Sequence, residues 1–214
     1  MRKLILKMSI SIDGFVCGPN GEIDWIFKTT DDGAAGWIMD ILANAGVHIM
    51  GSRTYHDMAA YWPSSTEPFA APMNDIPKVI FTKKGFIKNP DPGLTTTAYK
   101  NATGYIKQNS PAEEVIAKKS AEWKSSEAAG GDLSEEINRL KMKPGNYILA
   151  HGGASFAQSL AKSGLIDEYR LLIHPVVLDR GLPLFSTIDK PVNLKLINSD
   201  SFRSGAIANV YMPV

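Results

Sequence analysis

The chain has 214 residues, of which 44% are hydrophobic and 21% charged, and its formal net charge is +1. Such a composition is typical of an ordinary globular protein, and we expect one domain over residues 1–214. The basic residues are scattered, which argues against a nucleic-acid partner, and no apolar run approaches the roughly 20 residues of a membrane helix. With Cys17 as the one cysteine and no zinc-type Cys/His spacing, neither a disulfide nor a metal site is predicted, and a cytoplasmic location is expected.

The amino-terminal segment predicts a strand followed by a helix. Residues 3–10 are rich in Leu and Ile, with Lys7 as the only interruption, which indicates a central strand buried on both faces. Apolar residues between positions 34 and 45 recur at three- and four-residue steps, the pattern of an amphipathic helix. Asp31 and Asp32 precede this helix, and either could cap its first turn.

The middle of the chain predicts two further strands and a polar segment. The strands are at 47–50 and 78–82, and Thr54 is a candidate N-cap for a short helix between them. Residues 105–130 are polar, and we expect a helical surface insertion there, with a linker leading to a second helix at 134–142.

The carboxyl-terminal part begins with a strand at 147–150 and a helix. Ser155 and Gln158 have the spacing of a capping box, and Gly164 stands where a left-handed C-terminal cap belongs. Strand–helix alternation followed by successive strands predicts an α/β fold with a mixed sheet. The last predicted strands are at 169–178, 193–199 and 206–212.

Three strand ends offer groups that suit an anion. A glycine pair at 152–153 leads into a helix, GSRTY at 51–55 adds an arginine and a hydroxyl, and FTKKG at 81–85 adds two lysines. Taken alone, each junction is better explained by an ordinary structural feature: a tight turn at the glycine pair, a helix cap at GSRTY and a solvated strand end at FTKKG. If the three strands are neighbours, however, their carboxyl ends would form a nucleotide cleft.

The order of these motifs resembles the dihydrofolate-reductase-like superfamily, and within it the C-terminal reductase domain of bacterial riboflavin biosynthesis. The matching segments are MSISIDGFV with GEIDW, IMGSRTYHDMAAYW, VIFTKK, and ILAHGGASFAQSLAKSGLIDEYRLLIHPVVLDRGLPLF. They cover nearly the whole chain apart from roughly 100–130. The resemblance implies a three-layer α/β fold, in which helices flank a mainly parallel mixed sheet of about eight strands and NADPH lies across the carboxyl ends of the strands.

The resemblance also implies which residues hold NADPH. The glycine pair and the start of the following helix would bind the pyrophosphate, and the two lysines would border the 2′-phosphate. The implied cofactor-binding residues are Ile12, Gly14, Gly51, Arg53, Thr54, Thr82, Lys83, Lys84, Gly152, Gly153, Ala154, Ser155 and Phe156.

The catalytic residues are less well defined by this resemblance. Dihydrofolate reductases keep an acidic residue on the first helix, whereas the acids nearest to it here stand at its start. The candidate proton sources are therefore Asp32, Asp13 or a bound water. Trp25 and Trp62 are candidates for walls around a flat substrate, although packing in the core would explain them as well. We expect His151 to be structural.

These features predict an NADPH-dependent reductase that transfers hydride to a C=N or C=O bond of a small heterocycle. The substrate would be pterin- or dihydrofolate-like, or similar to 5-amino-6-(5-phosphoribosylamino)uracil. Two alternatives stay open: a nucleotide-binding protein without turnover, and a binder of a flavin phosphate. The resemblance further implies a homodimer, for which HPVVL and the last strands are apolar enough to supply an interface, although core packing accounts for the same residues.

Overall fold

The computed structural model describes residues 1–82 and 111–214. Their strands form an eight-stranded sheet and a two-stranded sheet. The strands are β1 (Leu4–Ser11), β2 (Phe15–Cys17), β3 (Val47–Gly51), β4 (Lys78–Phe81), β5 (Glu127–Ala129), β6 (Ile148–Ala150), β7 (Glu168–His174), β8 (Leu182–Pro183), β9 (Leu194–Ser201) and β10 (Ile207–Pro213). The helices are α1 (Asp24–Lys28), α2 (Asp32–Ala43), α3 (Ser52–Tyr61), α4 (Ala70–Asp75), α5 (Glu113–Lys124), α6 (Leu133–Met142) and α7 (Ala154–Ser163).

The large sheet is mixed and mainly parallel, as predicted. Its strand order is β5-β4-β3-β6-β1-β7-β10-β9, and the pairs from β5 through to β7 are parallel. The last two pairs, β7 with β10 and β10 with β9, are antiparallel. The prediction that β1 is a central strand is confirmed, because three strands follow it on one side and four on the other.

Helices cover both faces of the sheet, which gives three layers. Alternate residues of β1 point to opposite sides, so Leu4 and Leu6 join one apolar cluster while Ile5 joins another. The first cluster includes Ile137 of α6 and Leu160 of α7. The second cluster contains residues of α2, α3, α4 and α5, and we call this side of the sheet the α2 face.

Two predicted helix ends are confirmed. Asp31 is the N-cap of α2, since its carboxylate accepts a hydrogen bond of 2.9 Å from the backbone N–H of Ala34. Gly164 ends α7 in the left-handed conformation with φ 67°.

Two other predicted caps are wrong. Helix α7 begins at Ala154 with Gly153 as its N-cap, so Ser155 already lies inside the helix, and the amide of Gln158 donates to the carbonyl of Pro183 at 2.6 Å. Helix α3 begins at Ser52, before Thr54. In both cases the N-cap is a glycine, so the first turn starts earlier than the polar side chain that the sequence offered as a cap.

The described part of the predicted 105–130 insertion is mostly exposed but is attached to the sheet at two points. Trp123 on α5 is 1% exposed, and its indole N–H donates to the side chain of Asn74 at 2.8 Å. The expected linker contains β5, which pairs in parallel with β4 at the edge of the sheet. The segment is helical over Glu113–Lys124, and one buried aromatic side chain and one strand attach it to the sheet; its description as an insertion stays a prediction.

Candidate functional site

The candidate site lies where two neighbouring parallel strands run into helices. Strand β3 ends at Gly51 and leads into α3, strand β6 ends at Ala150 and leads into α7, and the two strands pair with each other. Neither helix has a side chain capping its N-terminus. The free N–H groups of two first turns, with the positive ends of two helix dipoles, therefore lie at the same edge of the sheet. This arrangement suits the two phosphates of a dinucleotide.

Thr54 joins the two junctions. Its hydroxyl donates a hydrogen bond of 2.8 Å to the carbonyl of Gly152. The next residue, Gly153, has φ +99°, and a Cβ atom built on it would lie 2.5 Å from the Thr54 Oγ1 atom. A side chain at position 153 is thus excluded both by backbone conformation and by space. The structure thus brings together Gly152, Gly153 and Thr54, which were predicted to bind phosphate. The Thr54 hydroxyl connects the two junctions through its hydrogen bond.

Phe156 fills the space between the ends of β3 and β4. A Cβ atom on Gly51 would lie 3.3 Å from the Phe156 Cβ atom, and the rings of Phe81 and Phe156 are 5.2 Å apart. At the end of β4, the backbone N–H of Thr82 donates to the carbonyl of Ala129 at 3.1 Å. Phe156 therefore positions the cleft by packing, and its backbone N–H already donates to the Gly153 carbonyl.

Of the three cationic residues predicted to bind phosphate, the structure describes one, Arg53. Arg53 is exposed at the start of α3, and within residues 1–82 and 111–214 its guanidinium makes no hydrogen bond or ion pair. It is thus available to a phosphate at the α3 N-terminus. Lys83 and Lys84 lie outside the described residues.

The loop after β1 begins at the same edge of the sheet, where the parallel strands end. Ile12 is 64% exposed, and Gly14 has φ +85° with open space within 4 Å of the point where a Cβ atom would stand.

The carboxylate of Asp13 accepts backbone N–H bonds from Leu178 and Asp179, at 3.1 and 2.9 Å. Hydrogen bonds, first from the hydroxyl of Ser11 and then from these backbone groups, lower the pKa of Asp13. Asp13 thus holds this loop against residues 178–179 in its ionised form. An ionised carboxylate is a poor proton donor at neutral pH.

The remaining predicted site residues belong to other segments than the two glycine junctions. Asp32 is the first residue of α2 and is exposed. Trp25 on α1 is 7% exposed, and its ring meets that of His174 edge-on at 5.2 Å. Trp62 follows α3 and packs against the apolar cluster of the α2 face. A substrate role for Trp25, Trp62 and Asp32 stays a prediction.

The structure adds two basic residues that the sequence did not single out as catalytic. Leu6 pairs with Ala150 across β1 and β6, so the residues that follow them, Lys7 and His151, are neighbours on the α2 face. The Lys7 amine donates to the hydroxyl of Ser9 at 3.4 Å, on the side towards the carboxyl ends of the strands. Burial lowers the pKa of Lys7 to about 8, and no ion pair of Lys7 occurs within the described chain.

His151 lies between Lys7 and a second buried histidine. The rings of His48 and His151 are 4.5 Å apart, and no hydrogen-bond partner of His151 Nε2 exists among the residues that the structure describes. Burial, and then the neighbouring basic side chains, keep the pKa of His151 well below its ordinary value. Together Lys7 and the neutral ring of His151 place two nitrogen groups without a carboxylate partner directly before the glycine pair.

Comparisons with known proteins agree with this architecture. The model of the RibD C-terminal domain family matches residues 2–208. The chain belongs to the RibD C-terminal domain family. The uncharacterised protein YyaP of Bacillus subtilis is 30% identical over 210 residues, which cover 98% of this chain and 94% of YyaP.

Two solved structures show the fold. A protein from Shewanella sp. PV-4, described as a candidate riboflavin biosynthesis protein, superposes with a TM-score of 0.68 at 18% identity, covering 100% of this chain and 99% of that one. Dihydrofolate reductase from Enterococcus faecalis, in complex with NADP(H) and RAB-propyl, superposes with a TM-score of 0.55 at 12% identity, covering 99% and 96%. The predicted dihydrofolate-reductase-like α/β fold is thereby confirmed. Among the described helices, none has the length and apolar character needed to span a membrane.

Acid is expected to destabilise this RibD C-terminal-type domain through its buried histidines. Burial lowers the pKa of His48 to about 3 and that of His174 to about 4, whereas an unfolded histidine titrates near 6.5. The unfolded state therefore binds more protons between these values, and the free energy of unfolding falls as the pH drops through that window. We expect a loss of about 2–3 kcal/mol between pH 6.5 and 5, measured by urea denaturation.

The variant His48→Asn supplies the control for this acid sensitivity. It removes one of the titrating rings, so its free energy of unfolding should depend less steeply on pH than that of the wild type over the same window. Equal slopes for the two proteins would contradict the assignment of the effect to His48.

Proposed function

We propose that this protein is an NADPH-dependent reductase that transfers a hydride to a C=N or C=O bond of a small heterocycle. The observation that carries this proposal is the pair of uncapped helix N-termini at Gly51 and Gly153, which the Thr54–Gly152 hydrogen bond holds together. The family match and the NADP(H) complex of the similar E. faecalis enzyme support it. The substrate class would be pterin- or dihydrofolate-like, or similar to 5-amino-6-(5-phosphoribosylamino)uracil.

The described residues fit the cofactor at the pyrophosphate. Gly152 and Gly153 carry no side chain beside the helix N-terminus, and the N–H groups of the first turns of α3 and α7 would donate to the phosphate oxygens. Arg53 would pair with a phosphate on the adenosine side. The exposed Ile12 and the open backbone at Gly14 would border the nicotinamide.

The reaction needs a hydride and a proton. NADPH, when bound, supplies the hydride to the carbon of the C=N or C=O bond, and a proton must then reach the nitrogen or oxygen. Lys7 is the best candidate source in the described chain, because its partly buried ammonium lies beside Ser9 and His151 on the α2 face, with a pKa of about 8 and without a carboxylate partner among the described residues. An acid of this strength is well matched to proton transfer near neutral pH.

Turnover tests this proposal directly. Purified protein is mixed with NADPH and either dihydrofolate or 5-amino-6-(5-phosphoribosylamino)uracil, and the loss of NADPH is followed by absorbance. Consumption of NADPH that depends on one of these substrates would support a reductase of that class. If NADPH raises the melting temperature but neither substrate is reduced, the alternative of a nucleotide-binding protein gains support instead. Stabilisation by flavin mononucleotide alone would favour the flavin-phosphate alternative.

The lysine pair at 83–84 should determine the preference for NADPH over NADH. Replacing both lysines by alanine removes two cations from the group expected at the 2′-phosphate, which only NADPH carries. We expect the Kd for NADPH to rise about 10- to 100-fold and the Kd for NADH to change less than about twofold, measured by titration calorimetry. The matched control is Lys118→Ala with Lys119→Ala on α5. Equal losses for both cofactors would contradict this role.

A further inference from the structure

One face of β1 carries a series of polar side chains that leads from the core to the surface. Lys7, Ser9 and Ser11 alternate with apolar residues, so their side chains lie on the α2 face, and Asp13 follows in the loop. Ser9 is 8% exposed and Ser11 is 0% exposed. Serine is uncommon at buried positions, and a buried hydroxyl needs hydrogen-bond partners. Two successive buried hydroxyls on one face of a central strand therefore indicate a polar pathway.

Both ends of this series are connected by hydrogen bonds. At the inner end, the Lys7 ammonium donates to the Ser9 hydroxyl at 3.4 Å. At the outer end, the Ser11 hydroxyl bonds to the exposed carboxylate of Asp13. The Ser11 oxygen also accepts the backbone N–H of Phe15 at 3.0 Å and lies 3.4 Å from the Phe15 carbonyl, so its hydrogen has alternative acceptors. Among the described residues, only the step from Ser9 to Ser11 has no hydrogen bond.

His174 lies beside this step. It pairs with Ser11 across β1 and β7, and its side chain is 0% exposed. The Thr29 hydroxyl donates its single hydrogen to the carbonyl of Trp25 at 3.0 Å, so the donor in its 2.7 Å contact with His174 is the Nδ1–H group. The Nε2 atom then carries a lone pair, for which the described chain offers no donor. Burial lowers the pKa of His174 to about 4, so Nε2 is an acceptor at neutral pH.

Ser9, Ser11 and His174 together provide a binding site for one water molecule. Alternate residues of a strand are about 6.6 Å apart, which exceeds a direct hydrogen bond of about 2.8 Å between hydroxyl groups but is a span that one water covers. A buried water typically makes about three hydrogen bonds. This water would accept from Ser11 and donate to Ser9 and to the Nε2 atom of His174.

We propose that the polar series of β1 is a proton relay that returns a proton from solvent to Lys7 after each turnover. Its members, from the inside outwards, are Lys7, Ser9, the water held by His174, Ser11 and Asp13. The relay rests on the proposed reductase function, in which the Lys7 ammonium protonates the substrate and is left as a neutral amine.

The relay moves one proton inwards and leaves every member unchanged. Solvent protonates the Asp13 carboxylate, which donates to the Ser11 oxygen while the Ser11 proton passes to the water. The water donates one of its protons to the Ser9 oxygen, and the Ser9 proton passes to the Lys7 amine. Asp13 is then a carboxylate again, each hydroxyl again carries one hydrogen, and Lys7 is again an ammonium. His174 stays neutral and holds the water in place.

The acid strengths of the two ends favour this direction. The Ser11 hydroxyl and then backbone N–H groups lower the pKa of Asp13, whereas the pKa of Lys7 is about 8. A proton that Asp13 takes from solvent therefore moves to a stronger base when it reaches the Lys7 amine. Asp13 is ionised at rest, which suits a group that collects protons rather than stores them.

Exchange of the Lys7 ammonium protons with water tests the relay without turnover. It is measured by NMR on protein labelled with ¹⁵N at the lysine Nζ atoms. We expect Ser9→Ala and Asp13→Asn each to slow this exchange about 10- to 100-fold, because each interrupts the pathway. Asparagine keeps a side-chain oxygen for the backbone N–H groups at 178–179, so the loop is retained.

Two matched variants serve as controls for folding and packing. Ser65 is 5% exposed and its hydroxyl accepts the N–H of Glu67, so Ser65→Ala also removes a buried hydroxyl. The Asp31 carboxylate accepts the N–H groups of Ala34 and Ser204, so Asp31→Asn matches the change at Asp13. Both controls should keep the wild-type exchange rate of Lys7, and melting temperatures check that all four variants fold.

Turnover gives a second readout. Lys7 begins each reaction protonated, so the relay acts only after the first turnover. Ser9→Ala and Asp13→Asn should therefore lower kcat about tenfold more than they lower the single-turnover rate of NADPH oxidation. Added imidazole, a small proton carrier, should restore part of the kcat of Asp13→Asn.

The two readouts separate failure of the relay from failure of the reductase function. Slower exchange in both variants, in a protein that reduces neither substrate, would retain the proton pathway to Lys7 and reject the reductase. Wild-type exchange in both variants would overturn the relay, whether or not NADPH is consumed. Equal losses of kcat and of the single-turnover rate would overturn it as well.

Discussion

Replacing Gly153 by valine is expected to raise the Kd for NADPH by about 100- to 1000-fold. Gly153 has φ +99°, and a Cβ atom at this position would lie 2.5 Å from the Thr54 hydroxyl oxygen. The loop must therefore move, and the Thr54–Gly152 hydrogen bond that joins the two helix N-termini breaks. Titration calorimetry with NADPH measures the loss of affinity.

Gly164→Ala is the matched control for this substitution. Gly164 also has a positive φ, 67°, and lies at the other end of α7, but no described atom lies within 4 Å of the point where its Cβ atom would stand. Both variants bear the cost of a side chain in an unfavourable backbone conformation, roughly 1 kcal/mol or more in the free energy of unfolding. Only the Gly153 variant should lose NADPH. Equal affinity of both variants for NADPH would show that the phosphates bind elsewhere.

Replacing Lys7 by methionine is expected to lower kcat by about 100- to 10,000-fold, with a smaller effect on the Kd for NADPH. Methionine keeps much of the length and the apolar character of the side chain, so the packing of β1 is retained while the proton source is lost. The free energy of unfolding should not fall, because a buried amine without a carboxylate partner is removed. Steady-state kinetics and urea denaturation measure these quantities.

The pH profile separates proton donation by Lys7 from a purely structural role. The donor must be protonated, so the kcat of the wild type should decline as the pH rises through about 8, the pKa of Lys7. In Lys7→Met this decline should disappear. Lys162→Met, which removes an exposed lysine paired with Asp189 on α7, should keep both the wild-type kcat and its profile. A Lys7→Met variant with an unchanged profile would rule out the assignment.

Much of the fold could be predicted from the sequence because its signals are local. The apolar run of β1, the helical period of α2, the Asp31 cap and the Gly164 cap each depend on neighbouring residues, and all four are confirmed. Short elements such as α4 and the pairing of β2 with β8 were missed, since they depend on distant partners. Trp123 shows the same limit, because its burial depends on Asn74, which is 49 positions away.

The candidate site shows where reasoning from sequence succeeds and where it fails. Glycines at strand ends are visible in a sequence, so the junctions at 51 and 152–153 could be predicted. The role of Thr54 could not, because its partner is 98 positions away. Lys7 looked like an interruption in an apolar strand, and only the register of β1 with β6 places it beside His151. The sequence did contain a signal that Lys7 has a special role, namely a charged residue inside an otherwise buried strand.

The most direct test of the central claim, an NADPH site at the two helix N-termini, is a side-by-side calorimetric titration of the wild-type protein with NADPH, NADH and flavin mononucleotide. The proposed site predicts a Kd for NADPH on the order of micromolar, tighter than that for NADH, with flavin mononucleotide weaker than both. Binding of flavin mononucleotide with no measurable binding of NADPH would contradict it.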